Sequence, residues 1–176
     1  VILAAPQLKG ASFFLLPDLD NLDKQFLVER HLMSHEHAMR SNGKALCVTA
    51  NEVVSIMVNE EDHLRIQVME SGFELDDAWR IMNKLDDELS TKYPFAFSSE
   101  LGFLTACPTN AGTGMRASVM SHLPALVTTR QINRILDAIA KLGFTTRGLY
   151  GEGTQASGNF FQISNQVSLG QTEGEI

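Results

Sequence analysis

Between residues 45 and 69, three short apolar runs follow one another with only a few residues between them. Residues 45–49 and 53–58 read as strands joined by the turn Ala50-Asn51-Glu52. Residues 63–69 alternate Leu64, Ile66 and Val68 against His63, Arg65 and Gln67, the period of two that gives a strand one buried face. Strands joined by turns this short favour antiparallel pairing. Whatever else the chain builds has to pack on that meander.

Two amphipathic helices supply the cover. Leu75, Ala78, Trp79, Met82, Leu85 and Leu89 recur at helical spacing and predict a helix over 74–92, with Trp79 on its buried stripe. Ile132, Ile135, Leu136, Ile139 and Leu142 predict another, with Thr129 as its cap and Gly143 just past its end. A weaker pattern, Leu22, Phe26, Leu27 and Leu32, predicts a helix over 20–33. Further strands are expected at 103–107, ended by Pro108, and at 144–150 and 160–164, with an extended stretch running up to Pro124. The class is α+β: a mostly antiparallel β-sheet with amphipathic helices packed on one face.

Several functions are disfavoured at once. A net charge of −7 argues against a protein whose main partner is nucleic acid. No apolar run approaches the roughly 20 residues that cross a bilayer, so no membrane role is expected. Cys47 and Cys107 are far apart, and a chain of 176 residues needs no disulfide staple, so the cytoplasm is the expected compartment. The start, Val1-Ile2-Leu3-Ala4-Ala5-Pro6, lacks a basic lead-in and is not read as a signal peptide; a chain beginning with Val is expected to be part of something longer. His31 and His35 stand four apart, as zinc ligands on one helix face do, but no Glu or Cys at metal spacing completes a site. For His31, His35 and His37 the expectation is surface histidines near a helix end, and no metal-ligating residue is assigned.

Three segments can carry chemistry. Asn59-Glu60-Glu61-Asp62-His63-Leu64-Arg65 places three acids where one strand turns into the next. By itself such a triplet is more often a solvated turn. Cys107-Pro108-Thr109-Asn110-Ala111-Gly112-Thr113-Gly114-Met115-Arg116 puts two glycines, able to take positive φ or to let backbone approach a ligand, just before an arginine that can grip phosphate. A lone cysteine ending an apolar strand is more often a buried structural thiol. Arg147-Gly148-Leu149-Tyr150-Gly151-Glu152-Gly153 holds one carboxylate between glycines, and alone it reads as a plain glycine-rich hairpin.

Together, in this order and at this spacing, the three segments resemble the motifs of the ATP:guanidino phosphotransferases, the family of arginine and creatine kinases. The tail Gly158-Asn159-Phe160-Phe161-Gln162-Ile163-Ser164-Asn165-Gln166, then Leu169-Gly170, resembles the bacterial protein arginine kinase branch; animal members usually carry aspartate where Gln162 stands. The resemblance runs from about Leu27 onward. It implies a catalytic domain of the glutamine synthetase-like guanidino kinase fold, with residues 1–176 forming a single catalytic domain fragment that lacks an N-terminal helical region and a C-terminal extension. It implies transfer of the γ-phosphoryl of ATP, with Mg²⁺, to an arginine guanidinium in a protein substrate. Glu61 and Glu152 match the carboxylates that clamp the guanidinium, and Cys107 matches the reactive cysteine beside it. Arg65, Arg116 and Arg147 match the arginines that hold the ATP phosphates. A zinc-binding activator protein, stress-protease machinery and a homodimer are implied by the resemblance alone.

The chemistry suits those residues. A guanidinium is protonated at neutral pH and is a poor nucleophile until carboxylates orient it and accept a proton. Phosphoryl transfer otherwise needs in-line positioning and cancellation of phosphate charge. The sequence also departs from the family. No Ser-Ser-Arg-type motif with an earlier pair of phosphate-binding arginines occurs, so the isolated chain is expected to be weakly active or inactive. Thr154-Gln155 replaces a usual Ser-Glu pair, which bears on substrate preference. Three alternatives stay open: a kinase for free arginine or another small guanidine, a non-catalytic module binding phosphoarginine or a partner, and a dinucleotide-binding oxidoreductase. The last rests on Gly112-x-Gly114-x-x-Ala117, which needs a strand before it and a long helix after it, whereas Pro108 and Pro124 flank it here.

Overall fold

The computed structural model describes residues 5–148 and 158–176. The chain divides into two compact units, Val1–Phe95 and Ala96–Ile176.

The first unit is built on the meander read from the sequence. Strands β1 (Ser12–Leu15), β2 (Ala45–Val48), β3 (Val54–Val58) and β4 (Leu64–Val68) form an antiparallel sheet in that order. Its register sets Cys47 opposite Ile56 and Ile56 opposite Ile66. Helix α3 (Leu75–Ser90) covers one face, burying Leu85 and Leu89 with Cys47, Val54 and Ile56. Asp76 and Asp77 in its first turn complement the helix dipole. The other face, which the sequence left uncovered, carries Leu46, Val48 and Met57 packed with Leu16, Val28, Leu32 and Met33. All four β2 residues are buried, which is why this strand shows no alternation.

Val28 comes from helix α1 (Asn21–Glu29), capped by Asp20, whose side chain accepts from the Asp23 N–H at 2.8 Å. The apolar pattern continues to Met33, but the helix stops at Glu29. His31 takes φ 60°, and Leu32 N–H bonds Leu27 C=O while His31 N–H bonds Val28 C=O. That is a Schellman ending, with histidine in the left-handed position where glycine is usual. A short helix α2 (His35–Met39) follows, capped by Ser34. His37 is fully buried, correcting the expectation of surface histidines here, and its Nε2 lies 3.0 Å from Ala45 C=O.

The second unit opens with a hairpin of β5 (Phe97–Ser98) and β6 (Gly102–Phe103). A three-stranded antiparallel sheet follows, in the order β7 (Ser118–His122), β9 (Phe160–Asn165), β8 (Phe144–Arg147). Helix α4 (Pro124–Thr128) leads into α5 (Ile132–Lys141), and α5 packs on β8. Thr129 does not cap α5 as expected. It belongs to the end of α4, where its Oγ1 donates to Ala125 C=O at 2.7 Å. Arg130, at φ 58°, closes α4 with the same Schellman pattern, Gln131 N–H to Leu126 C=O and Arg130 N–H to Val127 C=O.

The strand expected at 103–107 is also corrected: β6 ends at Phe103. The Thr105 hydroxyl donates to Cys107 C=O at 2.6 Å, a local bond that competes with a ladder, and Pro108 cannot donate to one. The strand expected over 144–150 is β8 to Arg147; residues 149 and 150 lie outside the described ones.

Candidate functional site

In the first unit the acidic segment forms the turn between β3 and β4. Asn59 takes φ 57°, and its N–H bonds His63 C=O at 2.9 Å, closing the turn. Two of the three acids, Glu60 and Glu61, have different fates. Glu61 is exposed at the tip, its N–H donating to Glu60 Oε2 at 2.7 Å. Glu60 turns inward: its Oε1 accepts from Ser34 Oγ at 2.8 Å and lies 3.4 Å from Arg65 Nη1. Burial pushes the Glu60 carboxyl up, but the Glu61 N–H, the Ser34 hydroxyl and the Arg65 charge outweigh it and hold the group below its ordinary range. Arg65 stands on β4 opposite Met57, its side chain 48% exposed against 8% for Glu60. One end of the guanidinium is thus fixed by a buried carboxylate while the rest faces solvent. The inward acid was not legible in the triplet, because its partner Ser34 is 26 residues away in sequence.

In the second unit the motif loop sits between two backbone segments. Gly112 exchanges bonds with Phe103, N–H to C=O at 3.2 Å and C=O to N–H at 2.8 Å. On its other side a Cβ at Gly112 would stand 2.6 Å from Ser168 C=O. Gly112, at φ 100°, is therefore required by the chain's own packing; a Cβ at Gly114, at φ 64°, would meet only Asn110 C=O, at an ordinary contact distance of 3.8 Å. Cys107 is half-buried at the head of a 3₁₀ turn, Pro108–Asn110, with Sγ 2.9 Å from Thr109 Oγ1. Cys47, not Cys107, is the buried structural thiol, and burial pushes it up from the ordinary thiol value.

Arg116 is exposed, two residues ahead of Ser118 at the start of β7. Arg147 ends β8 opposite Gln162 of β9, and Gln162 Nε2 donates to Ser118 Oγ at 2.9 Å. Residues directly opposite in antiparallel strands share a face. Arg147, Gln162 and Ser118 therefore lie on one face of the second sheet. Arg116 precedes that sheet's first strand by two residues. Glu152 and the Thr154-Gln155 departure lie outside the described residues. Ala117 runs directly into a strand, so the dinucleotide-binding reading is corrected: no helix opens there. An open cavity of about 300 Å³ lined by Phe97, Leu101, Phe103 and Leu169 holds none of the expected site residues.

Among the described residues, no group of three or more His, Cys, Asp or Glu side chains is placed to hold a metal ion, and no helix is long and apolar enough to cross a membrane.

A family model described as ATP:guanido phosphotransferase, C-terminal catalytic domain, matches residues 5–176 and so runs through both units. A protein-arginine kinase of Symbiobacterium thermophilum is 55% identical over 163 residues, covering 93% of this chain and 46% of the relative. One of Bacillus licheniformis is 51% identical over 173 residues, covering 97% of this chain and 47% of the relative. The chain thus spans about half the length of the curated relatives it matches. Among solved structures, the duplicated taurocyamine kinase of Schistosoma mansoni with bound transition-state analogue components aligns with a TM-score of 0.81 at 30% identity, over 95% of this chain and 25% of that one. A lombricine kinase aligns with a TM-score of 0.74 at 24% identity, over 96% of this chain and 52% of that one, a likeness of fold.

Proposed function

Since the chain belongs to the ATP:guanido phosphotransferase family, we propose that it is the catalytic portion of a longer kinase that moves the γ-phosphoryl of ATP to a guanidinium nitrogen of arginine residues in proteins. The similarity to curated protein-arginine kinases supports the choice of substrate. The observation that carries the chemistry is the second sheet's register, with Arg147 on the face of Gln162 and Ser118 and Arg116 leading into the same strand. In this reading Arg116 shares that surface with Arg147, and two permanent cations there suit a polyphosphate, because each planar fork can take two oxygens.

In this reading Arg65, Arg116 and Arg147 hold the phosphates and cancel charge as the γ-phosphoryl moves. Glu61, at an exposed turn tip, and Glu152 orient the substrate guanidinium, and one of them takes the proton released as the N–P bond forms. Cys107, half-buried beside a hydroxyl, steers the same cation. Mg²⁺ takes most of its ligands from phosphate and water rather than from an all-protein cage, so it would be held here chiefly through the phosphates that the arginines bind. When bound with the nucleotide it neutralises charge between the phosphates. The same reading includes a zinc-binding activator protein, a homodimer and a cytoplasmic setting.

The test is incubation of the full-length protein with ATP and Mg²⁺, offering both free arginine and an arginine-rich protein. Acid-labile phosphate on the protein is the expected result. Phosphate on free arginine alone overturns the substrate, and none on either overturns the kinase reading.

A further inference from the structure

We propose that Asn165, at the end of β9, is the positioning residue for Arg116, setting where the guanidinium can reach a phosphate. This rests on Arg116 being a phosphate-binding arginine. The Asn165 side chain holds the backbone on both sides of that arginine. Its Oδ1 accepts from Ala117 N–H at 2.9 Å, and its Nδ2 donates to Met115 C=O at 3.2 Å and to Val167 C=O at 3.1 Å. Its own backbone N–H donates to Ala117 C=O at 3.4 Å. The amide orientation follows from these partners, since an N–H needs an acceptor and a carbonyl needs a donor.

The stretch needs such a clamp. Gly114, at φ 64° and with only Asn110 C=O within 4 Å of where a Cβ would stand, begins it, and regular strand pairing starts only at Ser118. An arginine's reach is fixed by where its Cα stands, and a bidentate contact tolerates little displacement. A neighbouring clip acts differently: Ser168 Oγ donates to Ala111 C=O at 2.9 Å, gripping the loop upstream of Gly112 rather than beside Arg116.

The experiment measures the Kd for ATP with Mg²⁺, kcat, the KM for protein substrate and thermal unfolding in the full-length protein. The variants are Arg116→Ala, Asn165→Ala, Asn165→Asp, Ser168→Ala and the Arg116→Ala/Asn165→Ala double. Asn165→Ala is expected to weaken ATP about tenfold, the effect of losing one or two hydrogen bonds, and to leave the protein-substrate KM unchanged. In the double variant it should add no more than about twofold to the loss from Arg116→Ala. Asn165→Asp keeps the acceptor for Ala117 and loses both donors, so a weakening of ATP is expected there even if the alanine variant fails to fold. Losses that multiply fully in the double variant overturn the proposal, as does Ser168→Ala weakening ATP as much as Asn165→Ala. An unchanged ATP Kd in Arg116→Ala overturns instead the phosphate role of Arg116.

Discussion

Ser34 Oγ donates to Glu60 Oε1 at 2.8 Å while accepting from His37 N–H at 3.1 Å, so one hydroxyl caps α2 and anchors the turn between β3 and β4. Replacing it removes two bonds and leaves an inward carboxylate short of a donor. Ser34→Ala is expected to lower unfolding stability by about 1–2 kcal/mol, the usual cost of a lost cap, read from urea denaturation. An unchanged midpoint would show that the hydroxyl does not hold the turn.

Glu60 should make part of the stability depend on pH. Its folded carboxyl is held below the ordinary value of about 4.3, so its contribution is complete above that pH and is lost as pH falls through the lower folded value. Glu60→Gln should therefore be less stable than the parent near neutral pH, with the gap closing in acid. Both proteins carry His37, which burial pushes down from the ordinary imidazole value and which also costs stability as pH falls. The Glu60 charge also supports the charged form of His37, so the difference between the two proteins reports Glu60 together with its coupling to His37. Urea midpoints across the acid range test this, and a gap that stays constant with pH would sink it.

The two thiols should react at different rates. Cys47 is fully buried between β1 and β3, whereas Cys107 is half-buried at the head of a turn. Thiol chemistry needs access as well as thiolate. Iodoacetamide on the native protein should label Cys107 and spare Cys47, with both labelled after unfolding, as read by peptide mass spectrometry. Native labelling of Cys47 would contradict the burial.

Gly112→Ala should be severe. The new Cβ would stand 2.6 Å from Ser168 C=O and 2.8 Å from Leu169 Cα, both backbone atoms, at a φ of 100° that side chains avoid. A loss of about 2 kcal/mol or more is expected by chemical denaturation. Gly114→Ala, where the nearest backbone atom lies 3.8 Å away, should cost less.

The sequence was most informative where one face of an element is apolar. The spacing of Leu85 and Leu89 marked α3, and the alternation of Leu64, Ile66 and Val68 marked β4. It was silent on β1, whose Phe13-Phe14 pair breaks alternation, and on α4, too short to show a helical period. It ran α1 past His31 because a left-handed histidine has no signature in composition. The motifs named Glu61, Arg65, Cys107, Arg116 and Arg147 as candidates, but not the residues that hold their loops and turns. Glu60 looked like one acid of three until Ser34 met it, and Asn165 and Ser168 grip a loop 48 and 57 residues away. Such contacts exist only in the folded chain.

The two proposed clamp carboxylates offer the sharpest functional test. Glu61 is exposed at the tip of its turn, and only its backbone N–H is used in holding Glu60. Glu61→Gln keeps that N–H and the side-chain shape while removing the charge and the proton acceptor. If Glu61 and Glu152 act on the guanidinium, Glu61→Gln and Glu152→Gln should each lower kcat about a hundredfold or more, the range for a lost acid–base group. The Kd for ATP should stay within about twofold, because the phosphates are assigned to the arginines. Arg65→Ala should show the opposite bias, with weakened ATP binding. Calorimetric ATP titration beside turnover in the full-length protein separates the cases. Equal losses of ATP affinity and turnover in the two glutamine variants would remove the carboxylates from the guanidinium.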